Sequence, residues 1–509
     1  MKPYINIQSL HILLLKYHCG LVSFLVIMHR LKPRFAIPKH YTSNCTLTVA
    51  GNSKPLAIED MPRPKTLPFI SPKVQFIISG NLNKLHEYID LRHKELGPVF
   101  CEKLDGNSDL VFVSDPELIR SLFINLEGKY PTHILPDSWI LYESLYGPKR
   151  GLFFMNGNEW LNNRRIMNKL LLKDNSEIWL EAPVKAAINK FIEQWKMKAL
   201  TGNMVPNLES DLYRLSIDII IAVMMGNNTF LKPSDQYETL LNLFSDSVRK
   251  IFHTTTKLSG LPIHWCQKFN MKVWRDFKEC VDTSLLLAHK IVDEMIKNKQ
   301  PSNGLINKLN EEKMTNDDIK KIVADFIIAA GDTTAYTSLW TMFSLAKDQA
   351  LTKSLCMKQD SFANVVKESM RLYPVAPFLT RILPKECILG SYLLKEGTPI
   401  VASIYTSGRD EHNFSRADEF LPYRWDRNDP RRHELKNHVS SGSLPFALGA
   451  RSCIGKKLAM LQMSELVKQI VENFDFELVN EDEITAVTTQ ILVPNRDVKI
   501  SFSLRTVGE

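Results

Sequence analysis

The sequence predicts a mainly α-helical protein with a minor β component, folded as a single large domain behind a basic leader. Three observations carry that expectation. Helical apolar spacing recurs in long blocks over 159–172, 182–198, 208–225, 237–252, 273–297 and 317–345. Strand-like runs are short and confined to 99–104, 110–114, 377–382, 392–394, 399–403 and 498–504, without regular βαβ alternation. The 509 residues, 44% hydrophobic and 24% charged, can bury a large core and show no internal repeat, which disfavours solenoids and propellers.

The leader spans 1–60. Residues 1–58 contain no Asp or Glu and seven basic side chains (Lys2, Lys16, Arg30, Lys32, Arg34, Lys39, Lys54), so the formal charge of +8 falls to +1 without them. Global charge therefore points to no nucleic-acid partner. The apolar run 10–28 has Lys16 near its middle with His11 and His18 beside it, which weakens a membrane-span reading. An acid-free basic leader ending in the Ser/Thr/Asn-rich 41–53 instead suggests a mitochondrial transit peptide, with an endoplasmic-reticulum anchor as the alternative. Pro55 and the prolines of 61–68 favour an extended linker, and the folded body is expected over 61–509.

Helical spacing over 83–96 stops at Gly97-Pro98, and the next two strand-like runs form a hairpin turned at Asp105-Gly106-Asn107. The long helices follow, and the late strands close the chain. The eight cysteines are scattered and form no C-x-x-C pair, which argues against a zinc site or a dithiol centre and fits a reducing compartment.

The sharpest local signal is Phe446-Ala-Leu-Gly449-Ala-Arg451-Ser-Cys453-Ile-Gly455, leading into a helical run over 456–474. Two glycines allow close backbone approach, and a cysteine just before a helix N-terminus has its thiolate stabilised by the dipole and free N–H groups. Such a thiolate suits the proximal side of a haem iron. The bland alternative is a structural cysteine in a glycine-bounded turn. A second signal is Ala329-Ala330-Gly331-Asp332-Thr333-Thr334 inside an apolar helix, where unpaired polar groups would cost about 1–3 kcal/mol each.

The cysteine segment resembles the haem loop of the cytochrome P450 superfamily, and other motifs of that family occur in order. They are Trp160 and Arg164 at i and i+4, Glu368-Ser-Met-Arg371, and Arg424 in Leu421-Pro-Tyr-Arg-Trp425. The resemblance covers roughly residue 62 to the C-terminus and implies a P450 fold, with haem b buried between long helices. It further implies Cys453 as axial ligand, Phe446 in the haem loop, and Trp160, Arg164, Arg381 and Arg451 around the propionates. Glu368, Arg371 and Arg424 would form a structural network. Thr333 and Asp332 would deliver protons during activation of the co-substrate O2. Many relatives carry Gly where Ala330 stands, which leaves open where the helix loosens.

No flavin or iron–sulfur motif appears, so electrons from NADPH would arrive through a reductase and a separate ferredoxin. Lys456, Lys457 and Lys367 resemble the surface on which the mitochondrial P450 clan docks a [2Fe–2S] ferredoxin, although Ala363 replaces a further basic residue. Solvated lysines are the bland alternative. Further clan resemblance lies in Gly97-Pro98-Val99-Phe100, Glu127-Gly128-Lys129-Tyr130-Pro131 and Arg150-Gly151-Leu152, and implies the matrix face of the inner membrane with peripheral membrane association. Within the clan, the stretches 325–334, 371–378 and 443–447 and the short 345–362 connection are similar to the insect ecdysteroid 2-hydroxylases of the Shadow family. That implies hydroxylation of 2-deoxyecdysteroids in ecdysone biosynthesis, with pocket residues in 134–139, Ile327, Ala330, 375–378 and 488–492. The rivals are another sterol position (22 or 26), a microsomal xenobiotic P450, and a non-catalytic haem-binding sensor or carrier.

Overall fold

The computed structural model describes residues 54–505, except 66–75, 77–82, 105–107, 148–149, 174, 227–234, 260, 298–302, 358–361 and 481. Nearly all of the expected leader, the expected turn at Asp105-Gly106-Asn107 and part of the proline linker lie outside the described residues. The chain meets the folded body by Leu56, whose N–H donates to the Ser391 carbonyl at 2.9 Å, and Met61 is already buried.

Helix α1 (Leu85–Leu96) leads into β1 (Val99–Glu102) and β2 (Leu110–Val113), an antiparallel pair with Val99 opposite Val113, as the alternation predicts. The short α2 (Pro116–Ser121) starts where the Asp115 carboxylate accepts the N–H groups of Glu117 and Leu118, with Pro116 at a first-turn position that needs no donor. A π-helical turn, Leu122–Leu126, follows and ends at Glu127. Next come α3 (Asp137–Tyr146), α4 (Gly157–Leu171), α5 (Ser176–Ala199), α6 (Leu208–Met225), α7 (Asp235–Leu258) and α8 (Ile263–Lys268). They are succeeded by α9 (Lys272–Lys297), α10 (Leu305–Glu311), α11 (Asn316–Lys347), α12 (Gln349–Met357) and α13 (Phe362–Leu372). Strands β3 (Phe378–Ile382), β4 (Cys387–Leu389), β5 (Tyr392–Leu394) and β6 (Pro399–Ser403) precede α14 (Ile404–Arg409). A long irregular stretch then reaches α15 (Lys456–Asn473), β7 (Phe474–Leu478), β8 (Ala486–Thr488), β9 (Leu492–Pro494) and β10 (Ile500–Leu504).

The largest sheet has the order β1-β2-β6-β3, with β2 and β6 parallel and the remaining pairs antiparallel. Its late strands, 378–403, lie far from β1 in sequence but complete the sheet beside it. Two boundaries show where burial decides over local pattern. Helix α5 begins six residues before 182 and carries Pro183 inside; the missing donor is offset by burial of Leu180, Pro183 and Val184 on the core. The helical run expected to 474 stops at Asn473, and Phe474 already opens β7, because alternate residues Phe474 and Phe476 bury against β10.

Helix α11 is the axis of the core. The Thr315 hydroxyl caps it by accepting the Asp318 N–H at 3.1 Å, and the helix packs against α6, α9, α13 and α15. It is apolar nearly all round, as a helix enclosed by others must be. Between Ile322 and Ala335 every residue is buried except Ala329, Ala330 and Thr333. That accessible strip lies at mid-helix, where a cleft has to be.

Candidate active site

Cys453 lies three residues before α15, and its N–H donates to the Phe446 carbonyl at 2.8 Å, which closes the loop on itself. The loop needs unusual backbone: Ala447 and Gly449 have φ of 57° and 76°. At Gly449 a Cβ would stand 2.2 Å from the Phe123 carbonyl and 2.3 Å from Glu127 Oε1, so only glycine fits. Gly455 carries no such demand from protein atoms, since a Cβ there would meet only Cys453 Sγ at 3.9 Å. Cys453 is accessible along one side. The protein surrounds it closely enough that burial pushes the thiol up, opposed by the Gly455 N–H and the charges of Arg164 and Lys456.

The expected haem-edge residues converge on this loop. Arg164 reaches it from α4 and donates through Nη2 to the Ser452 carbonyl at 2.6 Å. From β3, Arg381 pairs with Glu127 at 2.7 Å and lies over the Phe123 ring. Arg451 behaves differently from the propionate role expected of it. All three of its nitrogens donate to protein oxygens, namely the carbonyls of Pro131, Leu152, Phe153 and Met155 and Asn156 Oδ1. Its guanidinium stacks 4.4 Å from the Trp160 ring, so Trp160 and Arg451 together strap the 150–156 loop to the cysteine loop. Burial and the like charges of Arg381 and Arg164 bring Arg451 down to about 10.

Sequence reasoning missed Glu127. This carboxylate is 4% exposed, pairs with Arg381 through Oε2 and accepts the Ala450 N–H through Oε1 at 2.6 Å. A carboxylate 323 residues before the backbone it grips leaves no local pattern; only its place in the Glu127–Pro131 motif hinted at it. His133 was also missed. Burial and the neighbouring Arg451 and Arg381 push it down to about 3, so it is neutral.

Whether this set fits a haem can be judged from its orphans. Arg164 Nε, Arg381 Nη2 and His133 Nε2 are buried and have no hydrogen-bond partner among the described residues. Three guanidinium groups face one carboxylate, Glu127, and repel one another. Buried donors and an excess of positive charge call for anionic acceptors. The two propionates of a haem would supply them, and Cys453 could offer the iron a thiolate. The residues fit that group.

On α11, Thr333 Oγ1 donates to the Ala329 carbonyl at 2.8 Å, one turn back, which leaves its oxygen free to accept. Asp332 is 4% exposed, and its Oδ2 has no partner among the described residues. Burial raises its carboxyl to about 7, with Arg249 pulling it down and Glu209 pushing it up. The helix is continuous through this segment. Gly331 serves packing rather than loosening: a Cβ there would stand 2.8 Å from the Tyr213 ring.

On α13, Glu368 accepts five N–H groups. Oε1 takes Arg371 Nη2 (2.8 Å), Arg424 Nε (2.8 Å) and Leu421 N (2.9 Å), and Oε2 takes Arg371 Nε (3.0 Å) and Trp425 Nε1 (2.8 Å). All three charged side chains are 0% exposed. The basic residues divide. Lys456 is exposed, Lys457 donates to the Lys173 carbonyl just past α4 and lies 3.4 Å from Glu177, and Lys367 is half-buried beside Asn364.

Among the pocket candidates, Ile134 is partly exposed, Val375, Ala376 and Phe378 are half-buried, and Ala330 is on the accessible strip of α11. Ile327 and Leu492 are fully buried in the core, and Thr488 is tied by its hydroxyl to His86. Those three are packing residues.

Comparison with known proteins follows the same lines. The family model described as Cytochrome P450 matches residues 61–502. Cytochrome P450 315a1, mitochondrial, of Drosophila melanogaster is 37% identical over 88% of this chain and 89% of its own length. The 1,25-dihydroxyvitamin D(3) 24-hydroxylase, mitochondrial, of Rattus norvegicus is 24% identical over 95% of this chain and 98% of its own. The cholesterol side-chain cleavage enzyme, mitochondrial, of Ovis aries is 26% identical over 82% and 84%.

Proposed function

This chain belongs to the cytochrome P450 family and is a haem-thiolate monooxygenase, and we propose that it hydroxylates an ecdysteroid at carbon 2 in the mitochondrion. The observation that carries the chemistry is the buried Asp332 beside Thr333 on the accessible strip of α11. In the balanced reaction, one atom of O2 enters a C–H bond and the other leaves as water, with two electrons from NADPH and two protons. When bound, the haem supplies dioxygen activation. The chain supplies the rest. Cys453 would give the thiolate, Arg164 and Arg381 would take the propionates, and the Thr333 oxygen, with its hydrogen held by Ala329, can orient a water for proton transfer. Asp332, titrating near neutrality, can both take a proton and give one up.

Several features support the partner and the compartment. Relatives named as mitochondrial align over most of the chain, and the leader is acid-free and basic. Electrons enter from a [2Fe–2S] ferredoxin docked around exposed Lys456, with Lys457 and Lys367 at its border. Exposed Leu261, Trp265, Phe269 and Met271 cluster in the connection between α7 and α9, an apolar patch suited to resting on the inner membrane. Among the described residues no helix is long and apolar enough to cross one.

The choice of substrate rests on the stretches 325–334, 371–378 and 443–447 that resemble ecdysteroid 2-hydroxylases. The second reading, another sterol position, is favoured by relatives named for 24-hydroxylation and side-chain cleavage. Incubation with ferredoxin, reductase, NADPH and a 2-deoxyecdysteroid decides between them. The expected result is one product heavier by an oxygen atom and hydroxylated at carbon 2. Product at carbon 22 or 26 would select the second reading, and no product from any ecdysteroid, despite a normal red-shifted CO spectrum, would leave only the general monooxygenase.

A further inference from the structure

Away from the cysteine loop, a second polar cluster sits at the other end of the accessible strip. Arg150 and Asp325, 8% and 6% exposed, pair through Arg150 Nε and Asp325 Oδ1 at 2.5 Å. The guanidinium lies 4.7 Å from the ring of Trp139 on α3 and 4.6 Å from that of Phe154. Glu143, also on α3, feels the charges of both members of the pair, and burial raises its carboxyl.

The cluster is incompletely satisfied. Asp325 Oδ2 and Glu143 Oε1 are buried acceptors without a donor among the described residues. The Arg150 guanidinium makes one hydrogen bond there, through Nε. Unused acceptors and unused donors side by side against two aromatic rings are matched by a group that can do both, which is a hydroxyl. An anion would be repelled by the two carboxylates, and a cation by Arg150.

Position ties the cluster to the active site. Asp325 is one helical turn before Ala329 and two before Thr333 on α11, about 12 Å from Thr333 along the axis. That is the scale of a rigid fused-ring nucleus held at one end while its other edge is oxidised. Trp139, already among the expected pocket residues, packs on the Arg150 guanidinium at this end.

We propose that Arg150, Asp325 and Glu143 form a polar subsite that grips a hydroxyl of the sterol substrate remote from the carbon being oxidised, and so fixes which ring edge reaches the cleft. This subsite rests on the sterol reading above. Three steps follow: the hydroxyl donates to Asp325 or Glu143, accepts from Arg150, and the apolar nucleus lies along Trp139.

The test uses haem-loaded full-length protein and two sterols that differ by one hydroxyl at the end distant from the oxidised carbon. Binding is followed by the substrate-induced absorbance shift and, independently, by equilibrium dialysis of labelled sterol. Wild-type protein is expected to prefer the hydroxylated sterol by about 10-fold or more, the scale of a hydrogen bond to a charged group. Asp325→Asn should remove most of that preference while the affinity for the deoxy sterol stays within about 2-fold. Glu143→Gln, which has no partner at Oε1 among the described residues to lose, serves where Asp325→Asn folds poorly, and should erode the same preference. Equal weakening of both sterols, or an unchanged preference in both variants, would make the cluster a structural strut and overturn the proposal. Failure of wild-type protein to bind either sterol would overturn the sterol reading, and the subsite with it.

Discussion

Replacing Glu368 by Gln probes the buried network that ties α13 to the 408–425 segment, with little change of shape. The carboxylate accepts five N–H groups, three on Oε1 and two on Oε2. A glutamine keeps one oxygen. If its amide nitrogen takes the Oε2 position, Arg371 Nε and Trp425 Nε1 lose their acceptor and face a donor; the other orientation orphans three. At about 1–3 kcal/mol for each buried unsatisfied donor, the smaller loss is about 2–6 kcal/mol. A second route gives the same scale: Arg371 and Arg424, both 0% exposed, lose their shared anion, and breaking a buried pair costs about 3–5 kcal/mol. The two estimates describe one event, so about 4 kcal/mol is expected, against a native margin of about 5–15 kcal/mol. Burial opposes the charge on Glu368, but Arg371, Arg424 and the Leu421 N–H outweigh it and hold the carboxyl below its ordinary 4.5. A depressed acid stabilises fully above that ordinary value and progressively less as pH falls through the folded one. Urea unfolding at pH 7 and at successively lower pH, with CO-spectrum amplitude as a measure of retained haem, should show a large gap at neutrality that narrows in acid. A Glu368→Gln protein within 1 kcal/mol of wild type at pH 7, with full haem content, would refute the idea that the ionised network holds this part of the core.

Other expectations follow from the same geometry. Thr333→Ala should bind haem and substrate yet divert reducing equivalents to peroxide, and Asp332→Asn should lose an inflection in turnover near pH 7; unchanged coupling and an unchanged pH profile would remove the pair from proton delivery. Lys456→Glu should weaken ferredoxin-driven turnover at low salt by several-fold and reduce its salt dependence, whereas Lys457→Glu should also lower thermal stability, because Lys457 holds the end of α4. His86 and His93 on α1 are buried, bonded to Thr488 and Ser403, and lowered from 6.5 to about 4 by burial. The unfolded chain therefore binds more protons between those values, so stability falls as pH drops from 6.5 toward 4. Hydrogen exchange should show α1 losing protection over that window ahead of α11, and uniform protection across it would be evidence against this anchoring.

What was legible in the sequence followed from local periodicity and spacing. The long helices, the first hairpin and the cysteine loop each announce themselves within a short window of residues. Short elements did not: β4, β8 and β9 have three residues each, too few for alternation to stand out, and they exist because partners elsewhere complete them. Helix α5 begins six residues before the stretch expected from 182, because burial of Leu180, Pro183 and Val184 outweighs the local cost of Pro183. Site residues divide the same way. Cys453 and the Asp332–Thr333 pair were readable in place, while Glu127, His133 and the partner of Asp325 depend on contacts that span much of the chain.

Those long-range contacts share one feature that bears on function. Arg150 opens the loop whose other end, from Leu152 to Asn156, is gripped by Arg451 two residues before Cys453. The near end is held to α11 by Asp325, and the far end to the cysteine loop by a guanidinium whose nitrogens are all engaged. A loop this short, pinned by charge at both ends, cannot shift at one without straining the other. The Arg150–Asp325 cluster and the cysteine loop are thus joined by one short stretch of backbone, 150–156, held at both ends. The charge balance points the same way. Glu127 offsets one of three guanidinium groups at the cysteine end and Asp325 offsets Arg150 at the other, and the polar atoms without a partner among the described residues are Arg164 Nε and Arg381 Nη2 at the first and Asp325 Oδ2 and Glu143 Oε1 at the second.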